Sequence, residues 1–173
     1  MIEQLKSKTD LVYKTDNFIT KKECDKFINM VSHLKLPDNA DFENEYKPYW
    51  EYRSEDITNN PIVGKVSKFW RDNLKHNLII HQAQIQIWIP GSYSILHTHD
   101  EDNRGRKDTY WNSMLYLNDV DDGGEFITEH GIEIKPKAGT LTLFDGRNIK
   151  HGLNEVKNNN RYTIIDWNIL CTN

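Results

Sequence analysis

Only two cysteines occur in the 173 residues, Cys24 and Cys171, and they lie at opposite ends of the chain. That leaves no framework of disulfides, and two reduced, buried thiols are expected. No apolar run approaches the length needed to span a bilayer, so no membrane segment is expected. The first residues, Met1-Ile2-Glu3-Gln4-Leu5-Lys6, lack the apolar core of a signal peptide, and a cytoplasmic setting is the expectation. There is no excess of positive charge. Lysine and arginine number 22 against 26 acidic residues, a net charge of −4, so nothing points to nucleic acid as a partner. Internal repeats and low-complexity segments are absent as well. What remains is an ordinary globular composition, long enough for one domain with one substantial core.

The first half carries helical signals. Leu11-Val12-Tyr13 reads as a short strand. Thr20-Lys21-Lys22-Glu23 then has the form of a capping box. Cys24, Phe27, Ile28, Val31 and Leu34 repeat at three and four, which predicts an amphipathic helix running to about Leu34. Residues 36–58 show no period and read as a long loop, a candidate active-site lid. Asn60 as N-cap and Pro61 at the first helical position open a second helix, with Val63, Val66, Phe69, Trp70 and Leu74 as its apolar stripe.

After Leu78 the period changes to two. Gln82, Gln84 and Gln86 alternate with Ala83, Ile85 and Ile87, a strand pattern. Further short strands are predicted at roughly 94–99, 111–117, 124–128, 131–135, 139–145, 149–155 and 161–169, separated by turn signals such as Pro90-Gly91 and Gly123-Gly124. The expected fold is mainly β: a double-stranded β-helix, or jelly roll, of about eight core strands, supported by two N-terminal helices. The expected organisation is a single domain over 1–173, with 1–78 as helical support and lid-like loop and 79–173 as the jelly-roll core.

The chemistry gathers around His97-Thr98-His99-Asp100. Side chains two apart in a strand share a face, so His97 and His99 can share a metal ion with the distant His151. The usual two-histidine, one-carboxylate triad of non-haem iron sites places a carboxylate where His99 stands. Three ligand sets are therefore open. One is His97, His99 and His151. A second pairs His99 with Glu101. A third pairs His97 with Asp100 across a bulge. Arg161 and Thr163 share a face of the last strand, where a guanidinium and a hydroxyl suit the far carboxylate of an acidic co-substrate. Tyr46, Tyr49, Trp50, Tyr52 and Arg53 form an aromatic cluster in the long loop, and Tyr110 and Trp111 precede the Tyr116 strand. Trp50, Tyr110 and Trp111 are the candidate substrate contacts. Asp100, Glu101, Asp102, Arg104, Arg106 and Lys107 make a charged loop that could fold over substrate.

The order of motifs has a counterpart in a known family. Asp16-Asn17-Phe18-Ile19-Thr20, Met114-Leu115-Tyr116-Leu117-Asn118-Asp119, Gly123-Gly124-Glu125-Phe126, Ile134 through Phe144, His151 and Arg161 together resemble the prolyl 4-hydroxylase-like branch of the 2-oxoglutarate and Fe(II)-dependent dioxygenases. The resemblance covers nearly the whole chain, least at 36–58. It implies Fe(II) as the metal, 2-oxoglutarate as co-substrate and O2 as oxidant, with a peptide or small-molecule substrate hydroxylated. It places His97 and His151 at two metal-ligand positions, Arg161 with Thr163 at the co-substrate carboxylate, and Tyr116 as a further hydrogen bond to 2-oxoglutarate. His99 departs from the family pattern, which has Asp there, and Arg161 stands where prolyl hydroxylases proper usually have Lys. Two other readings compete. One is a three-histidine metal enzyme of the cupin kind that does not use 2-oxoglutarate. The other is a non-catalytic jelly-roll binding module.

Overall fold

Thr20 caps the first helix as the sequence predicts. Its hydroxyl accepts from the Glu23 backbone N–H, and the Glu23 carboxylate accepts from the Thr20 N–H at 2.8 Å, so two otherwise orphaned donors are satisfied. The computed structural model describes residues 1–38, 53–74, 78–99 and 111–170. Helix α1 runs Lys21–Met30 and α2 runs Pro61–Leu74, the latter capped by Asn60, whose side-chain oxygen accepts from Ile62 N–H at 3.0 Å. Eleven strands are described: β1 Glu3–Ser7, β2 Asp10–Thr15, β3 Arg53–Asp56, β4 Leu78–Trp88, β5 Ser94–His97, β6 Trp111–Tyr116, β7 Phe126–Thr128, β8 Glu133–Ile134, β9 Leu141–Asp145, β10 His151–Leu153 and β11 Arg161–Leu170. They form two antiparallel sheets. The larger has the order β1-β2-β9-β6-β11-β4-β3, the smaller β5-β10-β7-β8. The mainly β expectation holds, and two such sheets with helices to one side are consistent with a jelly roll.

Strand alternation decides what each face of the large sheet touches. Ala83, Ile85 and Ile87 of β4, Leu115 of β6, Leu141 and Leu143 of β9 and Ile164 of β11 pack beneath Cys24, Val63, Val66 and Trp70 of the helices. The neighbours of opposite parity, Val12, Met114, Tyr116, Phe144, Ile165 and Trp167, meet Phe126 and Ile134 of the small sheet. The central strands are therefore apolar on both faces. Trp70 is fully buried and its indole N–H donates to Ser113 Oγ at 3.0 Å. Truncating a buried residue of this size costs about 3–5 kcal/mol. At the far end of the layer, buried Asp10 accepts from His130 N–H at 3.2 Å and faces its Nδ1 at 2.9 Å, tying the β1–β2 hairpin to the turn after β7.

Three expectations need correction. Helix α1 stops at Met30, not near Leu34. Val31 leaves helical geometry (φ −104°, ψ 5°) yet stays 2% exposed, so the apolar period outlasts the helix. The long loop expected over 36–58 contains a strand, β3, paired with β4. The N-terminal region is more than helical support, because β1, β2 and β3 all join the large sheet. Of the two cysteines, Cys24 is buried with a free thiol, while Cys171 lies outside the described residues. No helix among the described residues is long and apolar enough to cross a membrane.

Candidate metal and carboxylate site

His97 ends β5 and His151 begins β10, and the two are paired in register across the small sheet. Their rings stand 4.6 Å apart between centroids. His99 reaches the same point by a different route from the one the sequence indicates. The strand ends at His97, so alternation does not place His99. Its backbone N–H donates to Gly146 O at 3.0 Å, which folds the chain beyond β5 against the β9–β10 turn. That turn is built by Asp145, whose carboxylate accepts from Arg147 and Asn148 backbone N–H groups, each at 3.1 Å. The ligating atoms of His97, His99 and His151 all lie within 4.8 Å of one another, so the three can hold one metal ion.

The imidazoles are prepared for that role. His97 Nδ1 lies 2.9 Å from Ile95 O, and His151 Nδ1 lies 2.8 Å from Ile149 O. A carbonyl only accepts, so in each neutral ring Nδ1 carries the proton and Nε2 keeps its lone pair. Burial, with His97 beside it, pushes the His151 pKa down to about 3, so this ring is neutral at any ordinary pH. Phe126 and Phe144 flank His151 at 5.8 and 4.7 Å. They fix its plane and keep water from that side.

The second half of the site lies on the inner face of the large sheet. Arg161 is only 2% exposed. Its guanidinium donates to Thr163 Oγ1 at 3.5 Å and contacts Met114 Sδ at 3.1 Å, while Nε has no hydrogen-bond partner. No carboxylate is paired with it among the described residues. The Tyr116 ring lies 5.2 Å from the guanidinium carbon, and the phenol oxygen is buried without a hydrogen bond. Burial, against the pull of Arg161, pushes that phenol's pKa up to about 12, so it remains a donor. Gly124, at φ +70°, makes room. A Cβ there would stand 3.2 Å from Arg161 Cδ. A buried cation paired with no carboxylate among the described residues, with a buried phenol beside it, suits a carboxylate ligand.

The structure thus brings together His97, His99 and His151, and separately Arg161, Thr163 and Tyr116. It does not bring Trp111 to them. Trp111 has the parity of Ser113 and Leu115, packs with Tyr13 at 6.3 Å and lies on the helix side of the sheet, so its candidacy as a substrate contact is withdrawn. Trp50, Tyr46, Tyr49, Tyr52, Asp100, Glu101, Asp102, Arg104, Arg106, Lys107 and Tyr110 lie outside the described residues. Sequence reading missed Asn112 and Gly146. Strand parity with Tyr116 was the available signal for Asn112. For Gly146 the only signal was a turn glycine beside His151.

Against known proteins, a family model described as the 2OG-Fe(II) oxygenase superfamily matches residues 83–168, a span that contains all six of these side chains. No curated protein matches the chain. Among solved structures, the viral collagen prolyl hydroxylase of Paramecium Bursaria Chlorella virus-1, in its 2OG complex, superposes with a TM-score of 0.71 at 21% identity, covering 92% of this chain and 96% of that one. A Pseudomonas putida prolyl-4-hydroxylase gives 0.67 at 15% identity, covering 95% of each chain. A Trichoplax adhaerens prolyl hydroxylase, bound to a fragment of the hypoxia inducible factor oxygen degradation domain, gives 0.67 at 16%, covering 91% and 83%. The structural likeness is one of fold. With the family match beside it, the chain belongs to the 2OG-Fe(II) oxygenase superfamily, carries the fold of its prolyl 4-hydroxylase-like branch, and works with iron(II), 2-oxoglutarate and O2.

Proposed function

We propose that the chain is a single oxygenase domain over 1–173 that hydroxylates a substrate at an iron held by His97, His99 and His151. In this reading 2-oxoglutarate is anchored through its far carboxylate by Arg161, with Thr163 and the Tyr116 phenol as additional hydrogen-bond donors. The observation that carries the reading is Arg161: a guanidinium 2% exposed, with no carboxylate paired to it among the described residues. A buried charge without a counter-ion costs several kcal/mol. A dicarboxylate co-substrate supplies the missing charge, whereas a metal site alone would not require it. That is why this reading is preferred to a cupin-type enzyme that does not use 2-oxoglutarate and to a non-catalytic module.

Iron(II), when bound, supplies the oxygen chemistry, converting 2-oxoglutarate to succinate and CO2 as oxygen is inserted into substrate. The protein's own part is to hold and orient. His151 and His97 offer Nε2 lone pairs fixed by their carbonyl contacts. Arg161 and Tyr116 direct the 2-oxo acid, and Phe126 and Phe144 exclude water. Three neutral imidazoles leave the metal one unit more positive than a triad with a carboxylate would, which favours Fe(II) over Fe(III). A peptidyl side chain, proline among the possibilities, is the proposed substrate class, because the solved neighbours include prolyl hydroxylases and one peptide complex.

Two substitutions test the ligand set. His99→Ala is expected to lower Fe(II) affinity by at least about 10-fold and to end 2-oxoglutarate turnover, measured as succinate, whereas His99→Asp restores binding. Equal affinity in all three proteins would remove His99 from the ligands. At Gly146 an added Cβ would stand 2.3 Å from Asn112 Oδ1 and 2.8 Å from His99 Cε1. Gly146→Ala is therefore expected to displace His99 and weaken iron binding about 10–100-fold with the fold retained, as iron titration and circular dichroism would report. Unchanged affinity would show that the His99 position is not needed.

A further inference from the structure

We propose that Asn112 is a positioning residue for His99. In this account its side-chain oxygen accepts the His99 Nδ1 proton and so commits Nε2 to the metal. The inference rests on the metal-site reading above. It starts from an asymmetry among the three histidines. His97 and His151 each direct Nδ1 at the backbone carbonyl two residues before, Ile95 O and Ile149 O. For His99, beyond the end of β5, the nearby acceptor is a side chain. An ideal Cβ on Gly146 would lie 2.8 Å from His99 Cε1, 2.9 Å from His99 Nδ1 and 2.3 Å from Asn112 Oδ1. The Nδ1 edge of His99 and the Asn112 oxygen thus converge on the same small space, which only a glycine leaves open.

The Asn112 side chain is set for this role. It is fully buried on β6, with the parity of Met114 and Tyr116. Its Nδ2 donates to Asp166 O at 3.3 Å on the neighbouring strand β11. That bond identifies the nitrogen end and turns the oxygen toward Gly146. The oxygen is buried with no hydrogen-bond partner. A buried acceptor left unsatisfied is destabilising. No hydrogen bond joins this oxygen to the His99 ring in this structure, and a proton on Nδ1 would let one form across the space at Gly146. With the proton on Nδ1, all three histidines present Nε2 to one point, and the amide serves as the outer partner that ligating imidazoles ordinarily have.

The test uses the whole chain labelled with 15N-histidine and cobalt(II) as a spectroscopically visible metal. Long-range proton–nitrogen correlations in the metal-free protein, at mildly alkaline pH, are expected to show His99 as the Nδ1–H tautomer. In Asn112→Leu that preference is expected to vanish and cobalt affinity to fall about 10–100-fold. Asn112→Asp keeps an oxygen facing the ring and is expected to hold affinity within a few-fold of wild type. Thermal unfolding of each variant separates a stability loss from an affinity loss. An Nε2–H tautomer in wild type, or a folded Asn112→Leu that binds cobalt as tightly as wild type, would overturn the proposal. If Asn112→Leu does not fold, the wild-type tautomer decides. If wild type binds no cobalt, the metal reading fails, and the metal-free tautomer still decides the Asn112 pairing.

Discussion

Arg161→Leu is expected to weaken 2-oxoglutarate binding by roughly 30-fold or more and, in the same protein, to raise the melting temperature of the ligand-free form. The two effects share one cause. In the free protein the guanidinium is 2% exposed, with Thr163 Oγ1 and Met114 Sδ as its polar contacts and Nε unsatisfied. Its desolvation is only weakly offset, and burial pulls its pKa below the ordinary arginine value, with the Tyr116 hydroxyl opposing. Replacing even a buried ion pair with apolar side chains of similar volume is often neutral or stabilising by about 1–4 kcal/mol, and a buried charge without a counter-ion has less attraction to lose. At about 2–4 °C per kcal/mol for a chain of this size, the leucine variant should melt several degrees higher. A carboxylate ligand, however, would meet a leucine where its partner charge stood. Losing one member of such a pair costs about 2–5 kcal/mol, or roughly 30-fold to several thousand-fold in affinity. Calorimetric titration and a thermal scan on the same sample check both. A variant that binds 2-oxoglutarate normally, or that melts well below wild type, would assign Arg161 a purely structural role.

Asp166→Asn is expected to remove most of the pH dependence of stability between pH 4 and 7. Asp166 lies on the helix side of β11 and is 2% exposed. Burial pushes its carboxyl up to about 7, against the lowering effect of Asn168 and of Ser113, whose backbone N–H donates to Oδ1 at 3.2 Å. The folded pKa exceeds the unfolded value of 3.8. Below about pH 4 both states are protonated and the group imposes no penalty. As pH rises toward 7 the unfolded chain ionises while the folded one holds its proton, and stability falls by about 1.4 kcal/mol per unit, on the order of 4 kcal/mol in all. Above 7 the loss levels off. Asparagine keeps the acceptor for Ser113 without the charge. Urea unfolding at pH 5 and pH 8 should therefore show wild type losing stability across the interval and the variant nearly flat, with the variant the more stable at pH 8. Equal losses in both proteins would place the pH dependence elsewhere. The result bears on the site as well, because the Asp166 carbonyl holds Asn112.

What the sequence revealed and what it hid follow from strand parity. Arg161 and Thr163 are two apart in a strand that begins at Arg161, so period-two reading put them on one face, whereas Tyr116, opposite Thr163 in register, was reached only through the family resemblance. The same rule, applied to Trp111, would have turned it away from the site. Proximity to Tyr116 in the chain suggested otherwise. His99 was identified for a partly wrong reason, since it lies past the strand and is held by Gly146, a contact no local pattern encodes. Two edge strands were invisible. In β3, Arg-Ser-Glu-Asp is exposed throughout, and in β1 most side chains are exposed, so neither carries an apolar alternation to read. Helix α1 was overextended because Val31 continues the apolar period while its backbone has already left the helix.

The most direct measurement of the central claim is an anaerobic titration of wild type with Fe(II) and then 2-oxoglutarate, followed in the visible range. The weak absorption band of 2-oxoglutarate chelated to iron should appear at one equivalent in wild type and be absent in Arg161→Leu and His151→Ala. Iron binding with no band on adding 2-oxoglutarate would contradict the co-substrate pocket and favour a three-histidine metal enzyme. No iron binding at all would contradict the metal site itself.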